Sequence, residues 1–123
     1  MGYVCSEPSR TSGMMGLVVL LLLGCSTCVS CSHQLSPYAQ AASAVVRHVR
    51  EDNAGATDMT RATISSATLT SLHGLESQFP ETKTKASGMY LRWVCSDIET
   101  NHGPWLAYVT ALNIIEDWLG QGD

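Results

Sequence analysis

The sequence predicts an all-α fold, a small three- or four-helix bundle behind an N-terminal targeting segment. Three observations carry that prediction. Apolar residues from Tyr38 to Leu119 recur at three- and four-residue steps, the period of one helical face. Asp52-Asn53-Ala54-Gly55, Pro80 and Asn101-His102-Gly103-Pro104 punctuate that stretch where helices are expected to stop and start. The composition, 45% hydrophobic but only 15% charged, suits a packed core and exceeds what a disordered chain carries. A chain of 123 residues that gives up its front to targeting leaves room for one small domain.

The targeting segment comes first. From Thr11 to His33 no residue is charged, and Gly16-Leu17-Val18-Val19-Leu20-Leu21-Leu22-Leu23-Gly24 is continuous hydrocarbon between two glycines, with Arg10 ahead of it. A basic flank, a short apolar stretch and then small residues make the three-part pattern of a secretory signal, too short at its core for a comfortable membrane span. Export is the expectation, with residues 1–24 as the signal and Met14 or Met15 as alternative starts.

Within that block, Leu22-Leu23-Gly24-Cys25 resembles the lipobox of bacterial lipoproteins, in which a small residue precedes the cysteine that is lipidated. The resemblance implies diacylglycerol on the Cys25 thiol, cleavage on its N-terminal side, and attachment to a membrane through the lipid and palmitate-type acyl chains. In a two-membrane host, Ser26 after the cysteine implies the periplasmic face of the outer membrane. The resemblance covers the signal alone and implies no activity. Three other readings remain open. Cys28-Val29-Ser30 and Ser30-Cys31-Ser32 satisfy the small-x-small rule of ordinary signal cleavage, which would release a soluble secreted effector. The uncharged run reaches spanning length if its Ser/Thr/Cys-rich part is counted, which would give an uncleaved, signal-anchored membrane subunit. Met1-Gly2-Tyr3-Val4-Cys5-Ser6 fits the myristoylation pattern, although an apolar block right behind it argues for translocation.

Cys25, Cys28 and Cys31 stand at two-residue gaps, as iron–sulfur ligands do, but no fourth cysteine or Cys-Pro follows at the needed spacing. With Cys25 lipidated, Cys28, Cys31 and Cys95 are an odd number, so at most one intramolecular bridge forms. Cys31–Cys95 is the preferred pair, and its long loop would contribute roughly 4 kcal/mol in the chain-entropy picture. The alternative is that Cys95 is a buried small hydrophobe.

Residues 25–35 are the lipid-attachment site and polar tether, and residues 36–123 the helical domain. Ser36 caps and Pro37 opens the first helix, in which Tyr38, Ala41, Ala42, Val45, Val46 and Val49 share a face. Asp58 is the expected cap of a second helix with Met59, Ala62, Ala67, Leu69, Leu72, Leu75 and Phe79 as its stripe, ended by Pro80. A third, from about Glu81 to Thr100, places Ala86, Tyr90, Trp93, Val94 and Ile98 on one side despite Gly88. The last helix, Trp105 to Leu119 behind Pro104, is apolar over most of its circumference, broken by Thr110, Asn113, Glu116 and Asp117. Such a helix is either central in the bundle or offers a second face to a partner. Glu116 and Asp117 lie where the helix dipole disfavours anions, so they are expected to face solvent or a cation.

The chemistry that the residues exclude narrows the function. A net charge of −4, with Arg47, Arg50, Arg61 and Arg92 scattered among acids, offers no stripe for phosphates, so nucleic acid is not expected as a partner. His33, His48, His73 and His102 lack metal-ligand spacing; His73 and Glu76 make one pair where zinc takes three or four ligands. No G-x-S-x-G turn and no glycine-rich phosphate loop occurs, and Cys95 and His102 lie almost two helical turns apart. No cofactor, no small-molecule substrate and no catalysis are expected. The expected role is tethering or assembly, with an envelope protein as partner and Trp105, Tyr108, Leu112, Ile115 and Trp118 as the anchoring side chains.

Overall fold

Ser36 and Pro37 begin the first helix as expected: the Ser36 hydroxyl accepts the Ala39 N–H at 3.1 Å, and α1 runs Pro37–Asp52. The computed structural model describes residues 35–123, and its four helices continue as α2 Ser66–Gln78, α3 Ala86–Asn101 and α4 Trp105–Gly120, with a short 3-10 turn at Pro80–Lys83 between α2 and α3. The expected signal, residues 1–24, and the cysteines Cys25, Cys28 and Cys31 lie outside the described residues. The fold of residues 35–123 is therefore the all-α bundle the periodicity predicts, with four helices.

α4 packs most extensively on α3 and also meets α1, which in turn packs on α2. The core between them is built from Ala42, Val45, Val46 and Val49 of α1, Leu72 and Leu75 of α2, Leu91, Val94, Cys95 and Ile98 of α3, and Tyr108, Leu112, Ile115 and Leu119 of α4. All of these are withdrawn from water, and their burial is the main favourable contribution to folding.

Two expectations about the helices are corrected. The second helix does not begin at Asp58: its cap is Ser65, whose hydroxyl accepts the Thr68 N–H at 3.1 Å, and Met59 is exposed. Residues 56–64 instead run as an irregular segment. Asn53 holds its end to α1, donating to the Val49 and Thr63 carbonyls at 2.9 Å each and accepting the Thr63 N–H at 2.8 Å. Its other end meets the turn ahead of α4: Ala62 N–H donates to the Gly103 carbonyl at 2.9 Å, while Trp105 and Leu106 N–H donate to the Thr60 and Asp58 carbonyls at 2.8 and 2.9 Å. Of this segment only Ala62 is fully buried, with Ala56 and Ile64 packed against the core from its edge. Backbone groups that a helix would have satisfied internally are satisfied here by a distant element, which propensity cannot reveal.

The third helix begins at Ala86, not Glu81, and its buried face is Leu91, Val94, Cys95 and Ile98; Tyr90 is half-buried and Trp93 exposed. Gly88 explains the entry. A Cβ there would lie 2.1 Å from the carbonyl oxygen of Thr82, so the 3-10 turn rests directly on the helix backbone. At its other end α3 stops on His102, whose backbone takes the left-handed conformation at φ 49°, as the Asn101-His102-Gly103 reading anticipated for a C-cap.

Candidate functional site

Of the side chains expected to anchor a partner, four belong to the interior. Tyr108, Leu112 and Ile115 are sealed in the core and Trp105 is buried at its edge, while Trp118 is half-buried. The physical reason is that α1 and α3 flank α4 on two sides, so the stripe 105, 108, 112, 115 and 119 is the one its neighbours cover. These residues build the bundle and do not line a groove.

Of the large apolar side chains left in water, Met59 and Leu106 stand by the irregular segment and the start of α4, and three others mark a different surface. On α3, Met89 is 51% and Trp93 46% exposed; on α4, Ile114 is 37% exposed. Trp93 stacks on Tyr90 with ring centroids 5.5 Å apart and an 18° interplanar angle, and Tyr90 meets Trp118 of α4 at 5.6 Å. Trp93 also approaches the Tyr108 ring at 6.3 Å. These contacts carry one aromatic row from the outside of α3 across to α4, and the i, i+4 spacings Met89/Trp93 and Ile114/Trp118 extend it along both helices. The row itself carries no charge, but Asp97 of α3 and Asp117 of α4 border it, one turn from Trp93 and Ile114. The stacking geometry is that of an aromatic pair worth more than its buried area alone. Sequence reasoning missed this row because it assigned Tyr90 and Trp93 to the core; the available signal was that Leu91, Val94, Cys95 and Ile98 already complete a buried face at helical spacing.

Several groups with chemical potential are held by the fold, while His73 stands exposed on α2. Cys95 is fully buried and forms no disulfide among the described residues; burial, then the carboxylates of Glu76, Asp52 and Glu99, push its thiol up to about 12, so it stays protonated. His102 Nδ1 lies 3.0 Å from the Ala62 carbonyl and, since a carbonyl only accepts, carries the proton. Tyr108 donates its hydroxyl to Asp97 and accepts the Gly103 N–H at 2.9 Å. Burial, followed by the hydrogen bond with Asp97, raises the Tyr108 phenol above its ordinary value. Glu76 is paired with Arg92 at 2.9 Å rather than with His73. Glu116 meets a cation of its own chain: Arg50 donates to it at 2.7 Å and to Asn113 at 2.8 Å, tying α1 to α4.

Between α2 and α3 lies a shallow depression of about 140 Å³ lined by Leu69, Leu72, His73, Arg92, Ser96 and Glu99. It is open, mixed in charge, and below the roughly 300 Å³ of a small-molecule site. Among the described residues no group of three His, Cys, Asp or Glu side chains could hold a metal ion, and no helix is long and apolar enough to cross a membrane.

No family model, no curated protein and no solved structure matches this chain.

Proposed function

We propose that this chain is an exported envelope lipoprotein, fixed to a membrane leaflet through lipid on Cys25, whose helical domain works without catalysis in tethering or assembly with an envelope protein. The observation that carries the reading is the uncharged signal-like block closing on Leu22-Leu23-Gly24-Cys25, with ten residues from there to Leu35, where the described domain begins. In a two-membrane host the leaflet is the periplasmic face of the outer membrane.

The disposition of reactive side chains supports a non-enzymatic role. A nucleophile must be reachable and activated, whereas Cys95 is protonated inside the core. A general base must have a nitrogen or oxygen aimed at substrate, whereas His102 and Asp97 are occupied by Ala62, Tyr108 and Asn101. The partner contacts are made by surface side chains, because the α4 stripe of Tyr108, Leu112 and Ile115 is taken up by the bundle.

Partition between detergent and water tests the reading. The wild-type chain follows the detergent phase and needs detergent for release from membranes, and Cys25→Ala moves the processed domain to the aqueous phase or leaves an unprocessed precursor. A wild-type chain that is water-soluble without detergent points to ordinary signal cleavage after Ser26, Ser30 or Ser32. One that stays membrane-bound whatever stands at position 25 points to an uncleaved anchor.

A further inference from the structure

We infer that the aromatic row on α3 and α4 is a membrane-docking face: Met89, Tyr90, Trp93, Ile114 and Trp118 lie against the interfacial region of the bilayer to which the chain is tethered. The inference rests on the lipid-anchor reading and adds to it the face the domain turns toward the lipid.

Three observations select lipid as the occupant. The first is reach. Nine residues separate Cys25 from Leu35, and even fully extended the ten steps span no more than ~36 Å. A domain on so short a tether meets the leaflet at an effective concentration near the millimolar range, so a weak apolar patch is enough to dock it. The second is the side-chain chemistry. Tryptophan and tyrosine combine an apolar ring with one polar atom, which suits the headgroup level of a bilayer. Here two tryptophans and a tyrosine are in line, with Met89 and Ile114 beside them. The third is charge. The chain carries −4 overall, and the side chains of the row itself, Met89, Tyr90, Trp93, Ile114 and Trp118, are uncharged, while the carboxylates bordering it, Asp97 and Asp117, stand one turn from Trp93 and Ile114, so the row itself offers nothing to an anionic partner. Contact made by the row itself is apolar.

A stable protein interface argues less well. It needs roughly 800 Å² from each partner with a closed apolar centre. This row offers a few half-exposed side chains along one helix seam.

The test uses the membrane-extracted full chain reconstituted in phosphatidylcholine vesicles, with or without lipids brominated near the headgroup, which quench only indole rings at that depth. If the face docks, brominated lipid lowers the tryptophan emission by about twofold, because interfacial groups sit within ~5–10 Å of the acyl boundary. That quenching falls in Trp93→Phe, leaving the share due to Trp118, and Met89→Lys abolishes it while the chain still floats with the vesicles. Both substitutions are at exposed positions, so neither disturbs the core. A chain that floats but is not quenched overturns the docking face and leaves the lipid anchor standing. Loss of acrylamide access to Trp93 without bromolipid quenching also overturns it, in favour of a second copy or another protein on the row. A chain that does not float at all overturns both.

Discussion

The side-chain carboxylate of Asp123 accepts the backbone N–H of Ser87 at 2.7 Å, so the first turn of α3 is capped by a residue 36 positions further along the chain. Lys85, at the cap position, supplies no side-chain bond of its own. Next to this contact the Ser87 hydroxyl meets the Tyr38 hydroxyl at 2.7 Å, and the Lys85 ammonium lies 5.7 Å from the centre of the Tyr38 ring. One small cluster thus ties α1, α3 and the end of α4 together. Asp123→Ala is expected to lower stability by about 1 kcal/mol, as loss of a capping oxygen does elsewhere. Chemical denaturation reads the shift, and an unchanged midpoint would show that water caps Ser87 as well as Asp123 does.

Gly88 and Gly74 make opposite predictions from the same substitution. Alanine at 88 drives its methyl into the Thr82 backbone, where the intended Cβ position is 2.1 Å from oxygen and 2.7 Å from carbon, so the 3-10 turn must shift. The expected loss is about 1–3 kcal/mol, the usual cost of overpacking. Gly74 sits inside α2 with no atom within 4 Å of an added Cβ. Gly74→Ala is expected to gain about 0.5–1 kcal/mol from backbone entropy and helix propensity. Thermal melts of the two variants should move in opposite directions.

These contacts also show what was legible in the chain. α1 could be read directly, because Ser36, Pro37 and the buried face Tyr38, Ala42, Val45, Val46 and Val49 are all local signals. The start of α2 could not: Asp58 resembles a cap, but its carbonyl receives Leu106 N–H from α4 and the real cap is Ser65. The N-termini of α3 and α4 carry no side-chain cap of their own and are satisfied by Asp123 and by the Asp58 and Thr60 carbonyls. Such long-range partners leave no mark in local spacing. For α4 the sequence identifies which residues are apolar, yet which side is covered depends on where α1 and α3 lie. That is why Tyr108, Leu112 and Ile115 were expected at a partner surface and are found in the core.

Asp52 predicts a pH dependence. Burial pushes its carboxyl up, but the Ser65 backbone N–H at 2.9 Å, the Thr68 hydroxyl at 2.7 Å and the Ser65 hydroxyl at 3.1 Å, with the charge of His48, outweigh it and leave the group below its ordinary value of 3.8. The folded state therefore holds fewer protons than the unfolded chain as acid is added. The stability this supplies is full above the ordinary value and is lost as pH falls through the lowered one. Asp52→Asn is expected to flatten stability below about pH 4 while costing stability at neutral pH, measured as denaturation midpoints across an acid series. Parallel acid slopes in the two proteins would assign the dependence to other carboxylates.

Cys95 is expected to resist alkylation in the folded protein at pH 8 and to react at once in denaturant, because its thiol is fully buried and pushed up to about 12. Peptide mass mapping reads the position directly. A Cys95 that stays unmodified even in denaturant, until a reductant is added, would instead support the expected Cys31–Cys95 bridge.

The division between core and surface on α4 is open to a paired comparison. Leu112→Ala should cost about 2–5 kcal/mol, since it empties space inside the bundle, whereas exposed Ile114→Ser should change stability by less than about 1 kcal/mol. Similar losses from both would mean that Ile114 is covered by something in the folded protein.

The most direct test of the central claim is the intact mass of the protein extracted from membranes, taken beside a Cys25→Ala control. The account predicts a chain beginning at Cys25 and carrying acyl chains, with that species lost in the control. An unlipidated chain beginning near Cys31 or His33, or one still carrying Met1 or Met14, would contradict it.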